Sequence, residues 1–256
     1  MIEIKKNLEK YYQLFDTYDV FDNFIKYAVK DLKPQIYVDQ KENPNCVVFY
    51  SSPAYFILGE PNEKYSTNVL GLFSKDSWII ASSNAWKKVI NEHFLDAVQT
   101  HKRILFNSKS LDINNVLKQR MELPKGFSIQ PIEKKHISEG MIYDDVISRF
   151  FTKSDFLIHG YGFTLIDNDE TCHGFALTNY PIIGKDVELY FRVGYDHYPD
   201  FRLKGLGTTL CTYFIEESLQ RGYNPVWDSA NDISSHIAKK LGYIEEKEWY
   251  MYHVLK

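Results

Sequence analysis

The chain has 256 residues, 44% of them hydrophobic and 25% charged, with a net charge of −4 and a pI near 6.1. This suits one large or two modest folded domains and excludes a disordered chain. No Lys/Arg-rich run invites nucleic acid, apolar stretches such as CVVFY are strand-sized and give no membrane span, and MIEIKKNLEKYYQLF has no apolar signal core.

Cys46, Cys172 and Cys211 lie far apart without a C-x-x-C spacing, so reduced thiols in a cytoplasmic protein are expected, with neither disulfide nor metal site. The aromatic content of 16% reads as core filling. No internal repeat or low-complexity segment is visible.

In chain order, a helix is predicted to about residue 32, strands over 46–51, 55–58 and 78–81, and a helix over 84–103 with Ala85, Val89, Phe94, Ala97 and Val98 apolar. EPNEKY reads as a turn. His93 and His101 share that predicted helix without an acidic partner pattern and read as solvated or satisfied histidines. This half, residues 1–124, is expected to be a smaller α+β domain of unknown role, since it carries no chemical motif. The boundary is placed in MELPKGFSIQPIEKKH, residues 121–136, which Pro124, Gly126 and Pro131 punctuate around a short extended run.

The second domain, 125–256, is predicted to carry helices over 138–149 and 154–159, then a hairpin turning at Asp167, Asn168, Asp169 and Glu170. VELYFRV follows as a strand, and a helix runs from Leu206 to about Arg221, with Leu210, Tyr213 and Phe214 on one face and the Glu217/Arg221 pair on the other. NPVWDSA is a strand. NDISSHIAKKLGY is a helix with a core stripe of Ile233, Ile237 and Leu241 and Gly242 as its cap, and IEEKEWYMYHVL closes the chain as one or two strands.

Between strand and helix lies HYPDFRLKGLGTTL. Glycines let backbone approach a bulky anion, and a helix N-terminus presents unpaired N–H groups and a positive dipole end, so this order makes a phosphate cradle. A Walker A loop requires G-x-x-x-x-G-K-[ST], but here Lys204 precedes Gly205. A dinucleotide fingerprint requires a third glycine where Leu210 stands, and a longer run of βαβ units than the remaining chain provides. The remaining order is R-x-x-G-x-G, formed by Arg202, Leu203, Lys204, Gly205, Leu206 and Gly207.

That segment resembles the acetyl-CoA signature of the GNAT N-acetyltransferases. The resemblance covers roughly 125–256, including VELYFRV and the closing WDSANDISSHIAKKLGY; HYPDFRLKGLG with NPVWDSAN is similar to a bacterial branch with an extra N-terminal domain. It implies an α+β, partly α/β, architecture: a mixed, mostly antiparallel sheet with splayed central strands, flanked by helices. It also implies an enzyme that moves an acetyl group from acetyl-CoA to a primary amine of a small molecule by direct transfer, with no metal. The rival expectation is a catalytically weak acyl-CoA-binding or regulatory module. Neither the acceptor, the acyl-group preference nor the oligomeric state, homodimer included, is readable.

By position, the resemblance assigns the backbones of Leu203, Lys204, Gly205, Leu206, Gly207 and Thr208 to the CoA pyrophosphate, with Arg202 opening the motif and the Thr208 hydroxyl adding a contact. Phe191, Arg192 and Val193 would pair with the pantetheine arm. Asn231 matches a pantetheine-contacting asparagine and is equally placed as a helix N-cap. Ser234 stands where the family often has a small residue near CoA. Glu188 is either a general base or an exposed strand-end charge, and Asp228 and His197 are further titratable candidates. Many family members carry an acidic tyrosine four residues before the final glycine; this chain has Ala238 there.

Overall fold

A computed structural model gives the fold and describes residues 1–6, 8–12, 14, 35–51, 54–138, 141–150, 152–194 and 205–256. The chain divides into two units: Met1–Arg103 with Glu248–Lys256, and Ile104–Lys247. The division differs from the expected 121–136 boundary. Residues 104–124 belong to the second unit, where Phe106 and Val116 are fully buried in its core. Arg120 reaches across to Thr212 (2.8 Å) and Glu216 (2.5 Å). Pro124 and Gly126 therefore mark a bend inside a unit.

In unit 1, strand β1 (Ile2–Ile4) and helix α1 (Leu8–Tyr12) precede β2 (Gln35–Val38), β3 (Val47–Ser51) and β4 (Ala54–Leu58). Helix α2 (Ser66–Leu70), β5 (Trp78–Ala81) and α3 (Ala85–Phe94) follow. Most of the helix expected to residue 32 lies outside the described residues. The helix expected to run to 103 ends at Phe94, because Leu95 turns to φ 49°, ψ −124°; after a 3₁₀ turn the chain runs extended as β6 (Val98–Asn107). His101 is thus on a strand.

Unit 2 holds a further helix, α4 (Ile113–Lys118), which the sequence reading misses, then β7 (Ser128–Pro131), α5 (Met141–Phe150) and α6 (Lys153–His159). Next come β8 (Gly162–Ile166), β9 (Cys172–Thr178), β10 (Asp186–Val193), α7 (Leu206–Gln220), β11 (Asn224–Ser229) and α8 (Asp232–Leu241). The last strand is β12 (Ile244–Val254).

The two units follow one plan. In unit 1, β1, β2, β3 and β4 pair antiparallel in turn, β4 pairs β5 in parallel across α2, and β5 pairs residues 251–253 of β12 antiparallel. In unit 2, β7, β8, β9 and β10 pair antiparallel in turn, β10 pairs β11 in parallel across α7, and β11 pairs residues 104–106 of β6 antiparallel. The repeat invisible in the sequence is therefore present in the topology.

Period-two alternation along β10 positions the site. Val187, Leu189, Phe191 and Val193 pack toward α7, with Leu210, Cys211 and Phe214 in the same core. Glu188, Tyr190 and Arg192 point to the other face, where Tyr190 packs with α5 residues Val146 and Phe150. On α8, Leu241 is buried and Ile237 partly so, but Ile233 is 67% exposed, so the expected core stripe begins one turn late.

Candidate active site

The parallel ladder between β10 and β11 runs from Asp186↔Asn224 to Leu189↔Trp227 and stops there. Beyond it β10 continues for residues 190–193, held on its other side by β9, while β11 continues against β6. The central strands therefore splay, leaving about 13 Å of open edge at the usual strand rise.

The direction of the open groups follows from the ladder. The Asn179 N–H donates to Glu188 O (2.7 Å) and the Gly194 N–H to His173 O (2.9 Å). Antiparallel bonds recur at every second pair, so Glu188, Tyr190, Arg192 and Gly194 turn their backbone groups to β9. Leu189, Phe191 and Val193 turn theirs the opposite way. Leu189 still faces Trp227, but Phe191 and Val193 face the opening. Arg192, expected among the arm-pairing residues, has its backbone toward β9, and its guanidinium reaches Asp145 Oδ2 (3.3 Å) on the opposite face.

The opening leads to the start of α7. Gly205 is the N-cap at φ 77°, ψ 10°, a left-handed conformation that glycine adopts without a Cβ penalty. The first intrahelical bond closes from the Thr209 N–H to Gly205 O (2.9 Å), so the Leu206, Gly207 and Thr208 amides precede the helical ladder, at the positive dipole end. Gly207 lies against the open strand: a Cβ there would sit 3.5 Å from the Phe191 ring and from Val193 Cγ2. The Thr208 side chain is buried. Arg202, Leu203, Lys204 and His197 lie outside the described residues.

On the far side of the opening, the Asn231 side chain accepts the Ser234 N–H (2.9 Å) and caps α8, and the Ser234 hydroxyl accepts the Trp227 Nε1–H (2.9 Å). Both are thereby tied to the β11–α8 junction. The Phe191, Trp227 and Tyr243 rings line up at 5.2 and 5.5 Å beneath it. Ala238 is fully buried, and its carbonyl accepts the N–H of Tyr243. The Tyr243 hydroxyl is buried with no hydrogen-bond partner among the described residues, and burial pushes its pKa well above the usual phenol value.

The opposite face carries a polar network that sequence reasoning does not find. Glu188 Oε1 accepts from the Asn179 amide (2.7 Å), and Asn179 Oδ1 accepts from Arg149 Nε (2.8 Å). The Arg149 guanidinium pairs with Asp145 (2.9 Å) and stacks on Tyr190, 3.8 Å from the ring centre. Tyr190 donates to Asp145 Oδ1 (3.2 Å), and burial raises its phenol pKa, with Arg149 opposing and Asp145 adding to the rise. Because Trp227 and Ser229 point into the core, Asp228 between them points to this same face. Glu188, Tyr190 and Asp228 thus share the side of the sheet away from α7, around the apex of the opening.

None of the three thiols is primed as a nucleophile. Burial raises Cys172, pushes Cys46 to about 12 and lifts Cys211 well above its ordinary value. Among the described residues no cluster of metal-ligating side chains occurs, and no helix is long and apolar enough to cross a membrane.

A splayed parallel pair opening onto a glycine-led helix N-terminus offers backbone groups to an extended arm and amides to an anion, and the sequence narrows it. Residues 13–252 match the GNAT acetyltransferase family model. The chain belongs to the GNAT acetyltransferase family. The match spans both units, more than the 125–256 over which the motifs resemble that family. The mixed, mostly antiparallel sheet flanked by helices is the GNAT fold, and the chain is an acyltransferase of this type, in a family whose usual acetyl donor is acetyl-CoA.

The fold is similar to that of a GCN5-related N-acetyltransferase-like protein from Streptococcus suis, with a TM-score of 0.76 and 21% identity over 96% of this chain and 98% of that one. A tandem GNAT protein from the clavulanic acid biosynthesis pathway gives a TM-score of 0.62 at 11% identity, over 98% and 96%. A GNAT-family acetyltransferase from Colwellia psychrerythraea gives 0.56 at 8% identity, over 100% and 99%. No curated protein matches the chain in sequence.

The donor fits the residues present: the edge groups of Phe191 and Val193, which no described strand pairs, suit an amide-bearing arm, and the α7 amides suit a diphosphate.

Proposed function

We propose that this chain moves the acetyl group of acetyl-CoA directly to a primary amine of a small molecule, with donor and acceptor bound together. The observation that carries the reading is the open edge of β10 running to the Gly205-capped start of α7. The donor supplies an acetyl group already activated as a thioester. Phe191 and Val193 hold its arm through backbone groups, and the amides of Gly205, Leu206, Gly207 and Thr208, after Arg202, Leu203 and Lys204, hold its diphosphate. Asn231 and Ser234 fix the α8 wall of the opening.

The α7 face of β10 is packed core, so the amine enters from the face of Glu188, Tyr190 and Asp228. Glu188 is two residues before Tyr190, about 7 Å along the strand. It takes the ammonium proton so that the neutral amine attacks the thioester carbon, a contribution of about 10²–10⁴-fold. As the C–N bond forms the C–S bond breaks, CoA leaves as the thiolate, and that thiolate takes up, directly or through water, the proton that the acylated nitrogen loses. Asn179 fixes the orientation of that carboxylate, and Arg149 holds Asn179.

Direct transfer is supported by the raised thiol pKa values, which leave no activated cysteine to carry the acetyl group. Free thiols at all three cysteines support a reducing, cytoplasmic setting. Small polar amines are favoured by the resemblance of HYPDFRLKGLG with NPVWDSAN to a bacterial branch of the family to which the zwittermicin A resistance acetyltransferase is similar.

The test is acetyl-CoA turnover across aminoglycosides, polyamines and amino acids, read as thiol release. Intersecting initial-velocity patterns are expected for the accepted amine. Parallel patterns with an acetylated protein intermediate would refute direct transfer, and no turnover with any small amine would refute the acceptor class.

A further inference from the structure

The two units share every strand pairing, so the place in unit 1 that corresponds to the acetyl-CoA opening is identifiable: the far end of β4 beside β5, and the turn into α2. That place is closed. The β4–β5 ladder runs through Ile57↔Ala81, one residue short of the end of β4. The next groups continue the closure: the Ser82 N–H donates to Ile57 O (2.8 Å), the Gly59 N–H to Ser82 Oγ (3.1 Å) and the Trp86 Nε1–H to Gly59 O (2.8 Å). Trp86 is fully buried there. In unit 2 the corresponding strand runs four residues beyond its last pair, 190–193.

The anion cradle is missing as well. After β4 the chain reads Gly59, Glu60, Pro61, Asn62, Glu63, placing two carboxylates where unit 2 has Arg202, Lys204 and glycines. Glu60 is held in place by the Ser83 hydroxyl at 2.6 Å. Helix α2 has five residues, against fifteen in α7, and the first N–H groups at its start, those of Tyr65 and Ser66, are spent on Asn62 O. Carboxylates at this position repel a diphosphate, and a helix this short presents little dipole.

We infer that unit 1 is a second copy of the acetyltransferase fold with its cofactor opening sealed, and that the chain binds one acetyl-CoA, in unit 2. The inference rests on the reading of unit 2 as the acetyl-CoA site. It assigns the N-terminal unit a scaffold role instead of a second catalytic centre.

The test uses the full-length protein. Calorimetric titration with CoA is expected to give one site per chain, and Gly207→Asp, checked for retained fold by circular dichroism, is expected to give none. A CoA thioester with a photoreactive acyl group is expected to label peptides within residues 186–243. Two sites per chain, of which one survives in Gly207→Asp, or labelling within residues 1–103 in addition to 186–243, would overturn the inference while leaving the acetyl-CoA reading intact. A single site that survives in Gly207→Asp, or labelling within residues 1–103 alone, would overturn both. No binding by the parent protein would overturn that reading, and the inference with it.

Discussion

The glycines at 205 and 207 have different duties, and alanine at each should separate them. At Gly205 the backbone is left-handed, where an L-residue costs about 1–2 kcal/mol, and the new Cβ would lie 2.5 Å from Met121 Sδ. Met121 is half-exposed and can turn aside, so backbone strain dominates. For a unit of this size, 1 kcal/mol moves Tm by about 2–4 °C, so Gly205→Ala should lower Tm by about 2–8 °C. At Gly207 the backbone is helical and the added methyl makes only ordinary contacts at 3.5 Å with Phe191 and Val193. Alanine there gains up to about 1 kcal/mol of helix preference, so Tm should hold or rise. The methyl also enters the space beside the open edge of β10, and one misplaced methyl in a fitted site is worth about tenfold or more in affinity. Differential scanning fluorimetry and CoA titration read the two effects separately. If Gly207→Ala binds CoA as the parent does, or loses affinity only together with Tm, the cradle is not where α7 meets β10.

Glu188→Gln should lower kcat at neutral pH by about a hundredfold or more while CoA affinity stays constant; unchanged turnover from about pH 6 to 9 would move the base to Asp228 or His197. Arg120→Ala removes a guanidinium from Glu216, Thr212 and the Tyr213 ring and should cost about 1–2 kcal/mol in denaturant melts, whereas no change would place residue 120 outside the cooperative unit. His136 accepts the Glu133 N–H at Nδ1, and burial, aided by Lys135, holds its pKa below 6.5. The unfolded chain then takes up the proton first, so stability is full above about pH 6.5 and falls as pH drops toward the folded value; half-buried His101, lowered by desolvation, acts in the same direction. Melting temperature against pH checks this, and His136→Gln should flatten part of the acid limb.

Much of unit 2 was legible because each element carries its own local signal. The turn before Thr171 is marked by Asp167, Asn168 and Asp169, residues that favour turns, and the Gly205 start of α7 and the Gly242 end of α8 by glycines at positive φ. The end of α3 carries no such mark, since Leu95 adopts positive φ with no glycine or proline nearby, and the apolar spacing through Val98 therefore reads as continuing helix. The acceptor-side network was illegible for a different reason. Tyr190 and Asp145 are 45 residues apart and meet only because α5 packs across the strands that bring Asn179 beside Glu188. The domain boundary was misplaced because Pro124 and Gly126 look like a linker, while the bonds from Arg120 and Met121 to α7 have no sequence signature.

The persistence of a sealed unit has a physical basis in how the sheets are completed. The strand beside β5 comes from the far end of the chain, with Met251, Tyr252 and His253 opposite Ile80, Ile79 and Trp78. The strand beside β11 comes from the first half, with Ile104, Leu105 and Phe106 opposite Ser229, Asp228 and Trp227. Neither half of the sequence therefore encodes a whole unit, and removing residues 1–124 would take from β11 the partner that flanks the opening. It would also leave residues 251–253 without β5, and an unpaired apolar edge invites aggregation. Tyr252 and Val254 are buried in the unit 1 core, so that exposure would be apolar as well as hydrogen-bonding. On the inference that unit 1 is sealed, its part of the chain is still needed, because β11, one wall of the unit 2 opening, pairs with residues 104–106 of a strand that begins at Val98.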